Sequence, residues 1–235
     1  MPCVKPVRRR SLTLLGASVI AVCVMSGCSF QPRETRTTDR SDTRYEPPAP
    51  RPRDRDIGLT AAELVDRYWN QHYEEYTGEP FPPLDGGIVA DPTPTCGSRQ
   101  LPAGNAYYCP ADDSIVYDPE FIQSILDQYG EGAVEATLAH EYGHVLQQRL
   151  DPSHRVQRQE LLADCIAGAT LVGLVDDGVI ELDEEDQQAI IALFESLGDE
   201  ADWSEPSDHG SARQRVDALT LGARQGLTAC FQNIT

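Results

Sequence analysis

The chain has 235 residues, with 19 Lys+Arg against 38 Asp+Glu and a formal net charge of −19. Such an acidic chain repels nucleic acid and anionic lipid head groups, so a nucleic-acid partner is not expected. Its length leaves room for one domain with a core of its own once the two N-terminal segments below are set aside.

Residues 1–27 read as an export signal. Lys5, Arg8, Arg9 and Arg10 precede an uncharged, mostly apolar run from Leu12 to Met25, and Ser26-Gly27-Cys28 follows. Small residues before a cysteine resemble the lipobox of bacterial lipoproteins, with Met25 where Leu or Val is more usual. Cys28 is then expected to carry lipid (palmitate included), and the mature protein to be lipid-anchored on the extracytoplasmic side of the cell membrane. The rival is an uncleaved membrane helix, but the run falls short of the ~20 apolar residues needed to span a bilayer. The Arg9-Arg10 pair fits both Sec and twin-arginine export.

Residues 28–57 follow as a tether rich in Arg, Asp, Thr and Pro, centred on Pro47-Pro48-Ala49-Pro50-Arg51-Pro52. Low hydrophobicity and fixed-φ prolines cannot build a core. The domain is residues 58–235, with eight cations against 32 acids. It keeps four cysteines, Cys96, Cys109, Cys165 and Cys230. An even number in an exported domain points to two disulfides. Of the three connectivities, Cys96–Cys109 and Cys165–Cys230 are expected; a cysteine zinc site is the alternative, although no C-x-x-C pair exists.

Leu59–Tyr76 has apolar residues at helical spacing, and Thr60 with Glu63 forms a possible capping box. Residues 78–100 are punctuated by Pro and Gly and read as irregular surface chain. Ala106–Cys109 and Ser114–Asp118 form a hairpin, and Pro119–Tyr129 a helix that stops at Gly130. Gly132–Leu150 and Val156–Val175 are two further helices, antiparallel neighbours across a short turn. Helical stretches at Glu184–Leu197 and Gly210–Ala223 complete the domain. The fold class is therefore mainly α (α+β), with a small β-hairpin or sheet beside the helix Gly132–Leu150.

His140-Glu141-Tyr142-Gly143-His144 carries the chemistry. On a helix, i and i+4 share a face, so His140 and His144 can grip one metal ion while Glu141 serves as a base beside it. Catalytic zinc takes three protein ligands and keeps one position open. Glu160, on the next helix, is the expected third ligand, and His154 in the turn competes with it. Asp164, one turn after Glu160, is expected to orient a ligand imidazole.

The runs His140 to Gln147 and Glu160 to Gly168 resemble the bacterial family called putative neutral zinc metallopeptidases. Cys96-Gly97, Tyr107 to Pro110, Ile115 to Asp118, and His209-Gly210-Ser211 with Arg215 extend the resemblance over residues 59–235. It implies a gluzincin fold, one Zn2+ and the ligand set His140, His144 and Glu160. His209 is then expected to donate to a reaction oxyanion and Arg215 to pair with Asp164. The expected function is a zinc endopeptidase acting on protein or peptide substrates. The alternatives are a catalytically idle, metal-stabilised binding lipoprotein and a zinc amidase acting on cell-wall peptides.

Overall fold

The computed structural model describes residues 56–150, 158–200 and 209–234. The signal peptide, Cys28, nearly all of the tether and His154 lie outside the described residues. Among the described residues, six helices and five short strands make a mainly helical α+β fold, and none of these helices is long and apolar enough to cross a membrane.

Helix α1 (Ile57–Thr77) is capped by Asp56, whose side chain accepts from the Leu59 N–H, and it ends at Gly78 in the left-handed region (φ 76°). The Thr60–Glu63 box expected from the sequence is thus not the start. Asp56 satisfies the first orphan donors one turn earlier, and the Thr60 hydroxyl donates to the Asp56 carbonyl. Ala61, Ala62, Val65, Tyr68 and Trp69 form the buried side of α1, which packs on the helix Glu131–Arg149.

The stretch from 78 to 100 holds strands the sequence reading did not contain. Strand β1 (Gly87–Ala90) pairs in parallel with β5 (Ser114–Tyr117), and β4 (Ala106–Cys109) joins β5 on its other side, antiparallel. Two-residue strands β2 (Thr95–Cys96) and β3 (Arg99–Gln100) pair separately. Four residues between turn formers carry no periodic signal; β1 exists because the central strand β5, buried at every position, needs a second neighbour. In the order β1-β5-β4, strand β4 is an edge. Helix α2 (Pro119–Tyr129) follows directly, capped by Asp118 with Pro119 at its first position.

Helices α3 (Glu131–Arg149) and α4 (Gln159–Asp176) are the centre. The contacts His140–Asp164, Gly143–Ala163 and Gln147–Gln159 run in opposite chain directions, so the pair is antiparallel. The helices nearly touch at Gly143, where a Cβ would come within 2.7 Å of the Ala163 Cα. Buried Leu162, Ile166 and Leu174 of α4 each contribute about 2 kcal/mol through removal from water. Helix α5 (Glu184–Ser196) begins in a capping box between Asp183 and Asp186. Helix α6 (Ala212–Asn233) runs ten residues past the expected end at Ala223, through a kink at Gly226. A Cβ at Gly222 would lie 1.8 Å from the Cys165 carbonyl oxygen, so α6 also lies tight on α4. Disulfides join Cys96 to Cys109 and Cys165 to Cys230; the second ties α4 to α6.

Candidate metal centre

The close approach at Gly143 sets α4 against the face of α3 that bears both imidazoles. His140 Nε2 stands 3.3 Å from Glu160 Oε2, and His144 Nε2 stands 3.4 Å from Glu160 Oε1. One donor atom from each of the three lies within 4.8 Å of the others. Tetrahedral zinc with bonds of about 2.0–2.1 Å holds its donors about 3.3–3.4 Å apart, so spacing and donor chemistry both fit the ion. His140, His144 and Glu160 could therefore hold a metal. The cysteine alternative has no thiolate to offer, because all four sulfurs are in disulfides.

A second layer holds these side chains. His140 Nδ1 meets Asp164 Oδ1 at 2.7 Å, so with that ring N–H donating, Nε2 is left to bind a cation. Asp164 is fully buried and also accepts from Arg215, Nε to Oδ2 at 2.9 Å and Nη2 to Oδ1 at 2.7 Å. Arg215 Nη1 donates to the Leu197 carbonyl, and its guanidinium lies 5.4 Å from the Phe194 ring centroid. That ring also packs edge-on near His140.

The electrostatics ask for positive charge. Burial alone lowers the His140 pKa, but hydrogen bonds to Asp164 and Glu160 outweigh it and push it up to about 10. Burial raises the Glu160 pKa, and the two imidazoles reverse this and hold the carboxyl well below its usual range. For Asp164 burial is likewise outweighed, here by the Arg215 guanidinium, and its pKa is lowered. Glu160 and Asp164 thus favour positive charge between them, as a proton on His140 or as a dication held on neutral imidazoles.

The site opens into a cleft of about 470 Å3. Its wall includes His140, Glu141, His144 and Glu160, strand β4 from Ala106 to Tyr108, the apolar Phe121, Phe194 and Leu197, and His209. The outward N–H of Tyr108 donates to Glu141 Oε2 at 2.7 Å, and that of Ala106 to Asn105 Oδ1 at 2.9 Å. The His209 ring is half exposed; its Nδ1 lies 3.6 Å from Asp199 Oδ1, and its backbone N–H donates to Asp199 Oδ2.

The structure therefore brings Glu141, His209, Asp164 and Arg215 to the same cleft or its immediate support. Sequence reasoning missed Tyr108, Phe194 and Asp199. Tyr108 acts through its backbone, which no residue type announces. Phe194 lies inside a helical stretch with nothing in its residue type to single it out, and Asp199 is one of 38 acids.

Residues 60–160 match the family model described as "Putative neutral zinc metallopeptidase", a span that contains His140, Glu141, His144 and Glu160. The match supports the family that the two helices imply. The chain is also similar to the uncharacterized protein Rv2575 of Mycobacterium tuberculosis (strain H37Rv), 31% identical over 72% of this chain and 66% of that protein. The uncharacterized protein YpfJ of Escherichia coli K12 is 27% identical over 56% of this chain and 54% of its own length. The chain thus spans less than two thirds of these relatives. No solved structure matches.

Proposed function

With the zinc metallopeptidase match as premise, we propose that this chain is a zinc endopeptidase. What supports the reading above all is the convergence of His140, His144 and Glu160 on one point, with Glu141 on the wall of the same cleft. Zinc bound there supplies a Lewis acid and lowers the pKa of water to about 7. Glu141 takes the proton of the attacking water and passes it to the leaving amine. His209, at the cleft wall, donates to the oxyanion as it forms. Asp164, braced by Arg215, keeps the His140 ring in place. An extended peptide lies along β4, donating to the outward carbonyls of Ala106 and Tyr108.

The same proposal places the domain outside the cytoplasm, on a lipid anchor at Cys28. Its two disulfides suit an oxidising compartment. Loss of labelled palmitate incorporation in Cys28→Ser tests the anchor.

The deciding experiment compares wild type with Glu141→Gln on a mixed peptide library at equal zinc content. Cleavage by wild type alone is expected. Equal cleavage by both removes Glu141 from the chemistry. No cleavage by either, with zinc bound, favours a metal-stabilised binding lipoprotein. Products from wall fragments but not from peptides favour a cell-wall amidase.

A further inference from the structure

The β4–β5 hairpin is fastened to α3 at two points. At one, the Tyr108 N–H donates to Glu141 Oε2. At the other, eight residues further along α3, Arg149 donates from Nη1 and Nη2 to the two oxygens of Asp113, at 2.8 and 2.7 Å. Eight residues are about 12 Å of helix, so the two attachments span most of the hairpin's length. They are also joined to each other, because the Tyr108 hydroxyl donates to Asp113 Oδ1 at 2.8 Å.

The far attachment is rigid. Bidentate guanidinium–carboxylate pairing is among the stronger side-chain contacts. The Arg149 and Asp113 side chains are only 11% and 22% exposed. Arg149 is fixed further by the carbonyls of Pro82 and Pro83, and Asp113 by the N–H of Asp85. Tyr108 is therefore gripped at its ring, while its backbone N–H, which has no strand partner on the edge, is aimed at Glu141. Among the described residues no other hydrogen bond reaches the Glu141 carboxylate. One oxygen is held, and Oε1 has no donor among the described residues.

We propose that Tyr108, held by Asp113 and Arg149, is a positioning residue for Glu141: its main-chain N–H anchors one carboxylate oxygen so that the other is presented to water. This rests on the peptidase reading. It adds that the edge strand takes part in the chemistry through the base, and that Arg149 and Asp113, outside the metal centre, set the rate.

The test uses the full chain with Asp113→Asn and Tyr108→Phe. Asparagine tolerates the left-handed backbone at position 113 (φ 49°), so the first variant is expected to fold. Zinc content, kcat and KM are measured on one peptide substrate. Exchange of the Tyr108 amide is followed by NMR in 15N-tyrosine-labelled protein, metal-free and zinc-loaded. The expected result is a kcat lower by about tenfold, since small misplacement of a catalytic group is costly, with KM and zinc content unchanged. The Tyr108 amide should exchange faster in Asp113→Asn and in Glu141→Gln. Adding Asp113→Asn to Glu141→Gln should cost nothing more. An unchanged kcat, an equal loss in the Glu141→Gln background, a matching rise in KM, or a Tyr108 amide indifferent to Glu141→Gln each overturns the role. If wild type cleaves nothing while the amide still responds to Glu141→Gln, the peptidase reading falls and takes the positioning role with it, and only the hydrogen bond stands.

Discussion

Arg215 and Asp164 meet through two parallel hydrogen bonds in the interior, and the same carboxylate holds the ring of His140. Removing one partner of a buried ion pair leaves the other charge uncompensated, at about 3–5 kcal/mol. Asp164→Ala is therefore expected to lower stability by that order. It should also weaken zinc binding by about 10–100-fold, as loss of a ligand's orienting partner does. Urea unfolding and competitive zinc titration read the two effects; a variant with native zinc affinity would contradict this role for Asp164.

Glu160→Ala should lose stoichiometric zinc, because it removes the metal donor that α4 sets beside the two imidazoles. His154→Ala should keep it. Metal analysis of the two purified variants decides, and the opposite pattern would make His154 the ligand.

Gly143→Ala puts a methyl against the backbone of Ala163. Backbone cannot rotate away as a side chain can, so α3 and α4 must part. The expected cost is about 1–3 kcal/mol, the range for overpacking. The ligands sit on both sides of this contact, so zinc affinity should fall as well. Thermal melts with and without zinc measure both.

Glu135 gives a pH-dependent prediction away from the metal. Burial, then repulsion from Glu131 and Asp186, push its carboxyl up to about 7 from 4.5. Below pH 4.5 folded and unfolded chains are both protonated there and the group costs nothing. As pH rises toward 7 the unfolded chain ionises first, and the native state becomes progressively less favoured; above 7 the penalty is complete. Glu135→Gln should leave Tm unchanged at pH 4 and raise it at pH 8, on the order of 2–5 °C. A lower Tm at pH 8 would be the wrong sign.

What was legible in the sequence followed from spacing. The four-residue step from His140 to His144 and that from Glu160 to Asp164 each fix a helical face, and the starts of α2 and α5 are marked by the caps Asp118 and Asp183. The disulfide partners were legible because few pairings exist. What escaped depends on partners remote in the chain. Strand β1 is defined by β5, 27 residues later in register. The far half of α6 lies beyond a Gly226 that reads as a stop but serves as a kink. His72 falls on the apolar spacing of α1, yet it bonds Asp177 at the end of α4.

A strand at the rim of a sheet ordinarily invites another copy of the protein to zip onto it, which is how many β-containing proteins polymerise. Along β4 that invitation is half withdrawn. Asn105 and Glu141 occupy the outward donors of Ala106 and Tyr108, so an approaching strand finds acceptors without their alternating complement. The contact that holds Glu141 thereby also discourages these molecules from stacking edge to edge when they are crowded.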